Sequence, residues 1–189
     1  MVRIAYCVSR WPMSEFCPSH MVEIVTERLR LRPLPRDVCA AIVDGDPGTR
    51  SWADGYPTEG DIVVASIALE AGTHYDPDTP WGPFQICLND AAATAIGGVG
   101  AIHAPDPAGS IEIGYGIAES TRGSGLAREA VAGLIATWPA LGIRKVVAVI
   151  SPDNRASARL ASATGFQFVR MVDTDDDGIM QRWELDLEV

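Results

Sequence analysis

"SIEIGYGIAESTRGSGLAREAVAGLIATW", residues 110–138, is the stretch on which the reading of the fold turns. Its first eight residues alternate as a strand does, with Ile111, Ile113 and Tyr115 on one face and Glu112, Gly114 and Gly116 on the other. From Leu126 onward the apolar residues recur at helical spacing, so Leu126, Ala130 and Leu134 form one row. A glycine-rich turn, Thr-Arg-Gly-Ser-Gly, joins the two. Such a turn leaves main-chain N–H groups aimed outward at the positive end of a helix dipole, a ready site for an anion and above all for phosphate. The plain alternative for Arg122 and Ser124 is an ordinary surface turn. Gly133 costs the helix about 1 kcal/mol against alanine, which predicts a close approach of this helix to the sheet.

Downstream, "KVVAVI" (145–150) is an unbroken β-branched run, the pattern of a strand covered on both faces. Strand, helix and covered strand predict a right-handed crossover with the two strands parallel. "RASARLASATG" (155–165) reads as a helix with Asn154 near its start, and "FQFVRMV" with "MQRWELDL" as a closing hairpin. Upstream, "FQICL", "TAIGGVGAI" and "SIEIGYGI" predict an antiparallel meander. "TERLRLRPL" (26–34) is a strand with Leu29 and Leu31 inward and Arg28, Arg30 and Arg32 on a solvated face. A short helix follows, stopped at Gly45, and a longer one begins at the N-cap Thr58, with Asp61 three residues on. The class is α+β: one domain over 21–189 with a mixed, mostly antiparallel sheet and helices on both faces, preceded by an N-terminal extension over 1–20.

The 189 residues are 47% hydrophobic and 21% charged, a composition able to bury a core. A formal charge of −10 argues against nucleic-acid binding, which needs a basic surface, and biases encounter toward cationic partners such as amines. No apolar run is long enough to span a membrane, and the first twenty residues lack the features of a signal peptide. Cys7, Cys17, Cys39 and Cys87 are scattered without a CxxC pair, which fits reduced thiols and a cytoplasmic location. The three histidines lack metal-ligand spacing.

Two motifs are set aside. Gly123-Ser124-Gly125 has Arg128 where a dinucleotide fingerprint needs its third glycine. Asp173, Asp175, Asp177, Gly178 and Glu184 match a calcium-loop pattern, but strand-like residues flank it where that loop needs helices, so it reads as a polar hairpin turn.

"IEIGYGIAESTRGSGLAREAVAGLI" followed by "KVVAVISPDNRASARLASATGFQFV" resembles the GNAT superfamily of acyl-coenzyme A-dependent N-acyltransferases. The form R-G-x-G-x-A is met at Arg122, Gly123, Ser124, Gly125, Leu126 and Ala127, and the second half at Asn154, Gly165 and Phe166. The opening "TERLRLRPL" looks like the branch of ribosomal-protein N-terminal acetyltransferases.

The resemblance implies a GNAT-like domain whose splayed parallel strands, parting after Ile117, take in acetyl-CoA as cosubstrate with no metal. Main-chain N–H groups from Arg122 to Ala127 would hold the coenzyme A pyrophosphate, and Asn154 would contact the pantetheine arm. The backbone N–H near Ile117 would stabilise the oxyanion. The implied reaction is acetylation of a primary amine, a protein N-terminus or a small molecule, by a monomer or homodimer. The amine must shed a proton first, since alkylammonium groups are charged at neutral pH.

Glu112 resembles a glutamate proposed as base in this branch, though it could instead be a solvent-facing strand residue. Many relatives carry a tyrosine proton donor seven residues after the asparagine, where this chain has Ala161. Ser157 is the substitute, with a plain helix-surface serine as the alternative. Trp52, Tyr56, Tyr75 and Trp81 are expected to line the acceptor side or to be core. The missing tyrosine keeps open a second class, an acyl-CoA-binding sensor without turnover.

Overall fold

The computed structural model describes residues 3–4, 23–72, 76–175 and 177–188. Nine strands among them form one sheet in the order β1-β2-β3-β4-β5-β6-β7-β9-β8. The strands are β1 (Arg3–Ile4), β2 (Ile24–Val25), β3 (Leu29–Pro33), β4 (Phe84–Leu88), β5 (Ala95–Ala101), β6 (Ser110–Ile117), β7 (Lys145–Ile150), β8 (Gln167–Thr174) and β9 (Gly178–Asp186). Every neighbouring pair is antiparallel except β6 and β7. Most of the expected N-terminal extension lies outside the described residues, but Arg3–Ile4 pairs with Ile24–Val25 at the sheet edge.

Among the described residues, four α-helices cover the two faces: α1 (Arg36–Asp44), α2 (Glu59–Glu70), α3 (Leu126–Ile135) and α4 (Arg155–Ala163). Leu29, Leu31, Phe84, Ile111 and Ile113 pack with Leu126, Val131 and Leu134 of α3 and Ala161 of α4 in the larger core. Cys39 and Ile42 of α1, Ala65 and Ala68 of α2, Cys87 and Ala95 make the smaller core opposite. Helices therefore lie on both faces, as the strand periodicity demands.

Local signals explain the helix ends. Gly45 closes α1 at φ 67°, and Thr58 and Asp61 form a reciprocal capping box at the start of α2. Gly133 faces Thr26, whose Cγ2 would lie 2.6 Å from an added Cβ, so the close approach that its glycine implied is to the connection between β2 and β3. The acidic hairpin turn has strands on both sides, and Glu184 in β9 bonds Lys145 Nζ at 2.7 Å and Arg182 Nε at 2.7 Å. Its carboxylate is committed to the sheet, and the calcium-loop match is a coincidence of spacing.

Two expectations need correction. The parallel pairing of β6 with β7 covers Ser110↔Lys145, Ile111↔Val146 and Glu112↔Val147 only, so the strands part after Glu112 and not after Ile117. Arg28 is also more than a solvated residue. Its Nε bonds Glu129 Oε2 at 2.6 Å and its NH1 bonds the Ser124 carbonyl at 2.9 Å, tying the start of β3 to the glycine turn.

Candidate active site

The gap between β6 and β7 opens into a cleft of about 1110 Å³ that reaches both faces of the sheet. On one side it is lined by Arg122, Gly123, Gly125, Leu126 and Ala127 at the start of α3, and by Asn154 and Ser157 at the start of α4. On the other it meets Thr58, Asp61, Val63 and Val64 of α2. Four glycines form the floor as cross-strand pairs, Gly98↔Gly116 and Gly100↔Gly114.

The turn before α3 carries the clearest chemical signal. The main-chain N–H groups of Gly123, Ser124, Gly125, Leu126, Ala127 and Arg128 have no acceptor among the described residues. The last four are the donors any helix leaves open at its start, and the turn adds those of Gly123 and Ser124 to make one continuous exposed row. Gly123 and Gly125 hold φ values of 80° and 79°, the left-handed geometry that turns successive amides toward one point. The Arg122 amide does not belong to this row, because it donates to the Glu119 carbonyl at 3.1 Å. Its residue still lines the cleft, whereas Ser124 sits behind the turn, with Oγ on the Thr121 carbonyl at 2.8 Å.

Glu129 in the first turn of α3 holds this geometry in place. Its Oε1 accepts from Thr26 Oγ1 at 2.6 Å and from the Arg28 amide at 2.7 Å. Burial alone would raise its carboxyl, but the bonds from Thr26 and Arg28 outweigh that and hold it below the usual range. A depressed carboxylate stabilises the fold above its unfolded pKa and loses that contribution as pH falls through the folded value. Glu129→Gln should therefore flatten the acid limb of Tm against pH, and an unchanged acid limb would remove this role.

Strand β6 supplies a second set of donors. Ala118 N–H bonds the Ile96 carbonyl at 2.7 Å and Ile102 N–H bonds the Glu112 carbonyl at 2.9 Å. The alternation of an antiparallel ladder then turns the main-chain groups of Tyr115 and Ile117 away from β5, into the gap that β7 has left.

Helix α4 is capped by Asn154, whose Oδ1 accepts from the Ser157 amide at 3.0 Å, so its amide NH₂ is the end open to the cleft. Ala161 is buried and packs into the larger core, where a tyrosine hydroxyl would have to reach out. A hydroxyl absent from the expectations stands nearby: Tyr115 OH donates to the Ser157 carbonyl at 3.3 Å and lines the cleft. Strand alternation had put Tyr115 opposite the glycine floor, and it does lie there. The cleft passes through the split sheet and so exposes both faces of β6.

Glu112 lies on the face of Gly114 and Gly116 but is not part of the cleft lining. Ile102 intervenes, with Cδ1 2.6 Å from where a Cβ on Gly114 would sit. Burial raises the Glu112 carboxyl above its ordinary range, against the lowering pull of His103 and Arg182. Of the expected acceptor-side aromatics, Trp52, Tyr56 and Trp81 belong with the cores and not with the cleft lining. Tyr56 is buried, edge-on to Trp52 at 5.3 Å, with its hydroxyl accepting from Gln85 Nε2 at 2.9 Å. Trp81 packs against the larger core, and Tyr75 lies outside the described residues.

The family described as "Acetyltransferase (GNAT) domain" matches residues 28–167. None of the curated proteins compared matches the chain. Among solved structures, an acetyltransferase from Agrobacterium tumefaciens is 26% identical, with a TM-score of 0.59 over 90% of this chain and 98% of that one. The ribosomal-protein-S5-alanine acetyltransferase from Vibrio fischeri is 18% identical, with a TM-score of 0.60 over 87% and 96%. The microcin C7 self-immunity acetyltransferase MccE, solved with acetyl-CoA and AMP, is 12% identical, with a TM-score of 0.62 over 86% and 94%.

Proposed function

The chain belongs to the GNAT acetyltransferase family, and from that premise we propose that it moves the acetyl group of acetyl-CoA onto a primary amine. The observation that carries the reading is the row of six open N–H groups at 123–128, placed beyond the end of β6 on the open side of the split sheet. Coenzyme A fits these residues. A diphosphate matches successive amides at a helix N-terminus, an extended amide-bearing arm matches the outward main chain of Tyr115 and Ile117, and the Asn154 amide adds a donor. Bound there, acetyl-CoA supplies an activated acyl carbon and a thiolate leaving group.

The protein's own groups carry the rest. The Ile117 N–H, fixed by the ladder with β5, is the donor for the oxyanion. Glu112 takes the proton that the ammonium must lose, and the position of Ile102 over Gly114 makes that transfer pass through solvent. Its raised pKa brings a carboxylate closer to neutrality, as a general base requires. The departing sulfur collects its proton on the α4 side, where Ser157 lines the cleft and Tyr115 OH rests on the Ser157 carbonyl.

Calorimetric titration with acetyl-CoA, paired with thiol release over a panel of amines, tests the reading. Micromolar binding with turnover supports it. No binding of any coenzyme A species defeats it, and binding without turnover on any amine leaves the sensor class. Glu112→Gln should bind acetyl-CoA normally and lose about 100-fold in kcat, with a flattened pH profile. Unchanged rates across pH would withdraw the base. Ser157→Ala and Tyr115→Phe should each slow thiol release, and indifference of both would place the proton donor elsewhere.

A further inference from the structure

Asp61 lies in the cleft, a buried residue with one carboxylate oxygen fully engaged and the other open to the cleft without a partner among the described residues. Oδ2 accepts from the Thr58 amide at 2.9 Å and from Thr58 Oγ1 at 2.6 Å, which completes the capping box of α2. Oδ1 accepts no hydrogen bond among the described residues and lies against the glycine floor, 2.5 Å from where a Cβ on Gly98 would be. Gly98 pairs with Gly116, and Thr58 Oγ1 is 3.7 Å from the corresponding Cβ position of Gly116. The open oxygen therefore sits over the cross-strand pair next to Ile117, the end of the cleft where the acyl carbon is to be attacked. A cap needs one carboxylate oxygen, so the second is unexplained by the helix.

We propose that Asp61 is a positioning residue whose Oδ1 docks the ammonium of the acceptor amine as it enters on the α2 side past Val63 and Val64. The inference rests on the acetyl-transfer reading above. A buried, half-partnered carboxylate is complementary to an alkylammonium, which brings both charge and donors. The net charge of −10 favours the same class of partner at a distance. Val63, 57% exposed beside the cleft, gives the mouth an apolar edge for the carbon body of the amine.

The electrostatics agree with an interaction still to be made. Burial raises the Asp61 carboxyl above its ordinary range, against the lowering effect of the two Thr58 hydrogen bonds. A carboxyl whose folded pKa is raised opposes folding once ionised, so this contribution is absent in acid and grows as pH rises through the folded value. Tyr56 feels its charge: that hydroxyl is pushed up by burial first and by Asp61 second.

The test compares 2-phenylethylammonium with its uncharged isostere 2-phenylethanol, in wild type and Asp61→Asn, by thermal shift without acetyl-CoA and then by turnover. The wild type should be stabilised by the ammonium and not by the alcohol. The variant should lose that discrimination and show an amine KM raised about 30- to 100-fold, the value of one charge-assisted hydrogen bond, with kcat affected less. It should bind acetyl-CoA normally, and its Tm at neutral pH should equal or exceed that of wild type. Equal response of wild type to ammonium and alcohol overturns the docking role without needing any variant, as does an unchanged amine KM in Asp61→Asn. Failure to bind acetyl-CoA would instead overturn the functional reading, while the ammonium shift is scored separately.

Discussion

Gly97→Ala should lower Tm by about 10 °C and cut acetyl transfer by more than about 100-fold, the largest combined effect expected of any single methyl group in this chain. A Cβ at Gly97 would lie 2.1 Å from the Gly116 carbonyl oxygen, 2.8 Å from Ile117 Cα and 3.0 Å from the Gly116 carbonyl carbon. All three are main-chain atoms of β6, so no rotamer change relieves the overlap. Ordinary carbon–oxygen contacts are about 3.3 Å or longer, and β5 and β6 must part by about 1 Å to restore one. Overpacking of this kind costs about 3 kcal/mol, which is several degrees for a domain of this size. The displaced segment also carries the Ile117 N–H assigned to the oxyanion, and a misplacement of about 1 Å is enough for a 100-fold loss. Differential scanning calorimetry and thiol release measure the two effects. A variant with wild-type Tm and rate would show that this backbone contact is not what aligns the site.

Gly125→Val should act on one function only. No atom crowds the added Cβ, the nearest being Arg28 NH2 at 3.6 Å, so the penalty is conformational. At φ 79° a β-branched residue is strained by about 1–2 kcal/mol or more, and the turn relaxes by rotating its amides. Those amides are the proposed diphosphate grip, and losing several at once should weaken acetyl-CoA about 100-fold or more. The rest of the fold, anchored by Leu126, Ala130 and Leu134 in the larger core, should survive with a modest drop in Tm. Isothermal titration with acetyl-CoA is the measurement. Retention of wild-type affinity would mean that the open N–H row does not bind the coenzyme.

Local chemistry was legible in the sequence and long-range geometry was not. The glycine turn, the capping box of Thr58 and Asp61 and the contact at Gly133 depend on neighbours within a few residues or on the absence of a side chain, and each reads directly from the chain. The parting of β6 from β7 depends on the course of a strand some thirty residues away, so it was placed five residues late. Arg28 looked solvated because alternation describes a strand by itself, and its partners Glu129 and Ser124 lie about a hundred residues on. Tyr115 was assigned the correct face but not the cleft, since periodicity cannot show that the sheet is split there. Trp52 and Tyr56 meet edge-on across a turn, a contact that neither strand nor helix periodicity announces.

The split sheet has a kinetic consequence. Its opening runs from the α3–α4 side through to α2, so on the proposed reading the nucleotide-bearing and amine-bearing molecules would use separate doorways and meet at the middle. Neither has to depart before the other arrives, and no side chain needs to store the acyl group in between. Double-reciprocal plots at varied concentrations of both should therefore intersect rather than run parallel, the signature of a ternary complex.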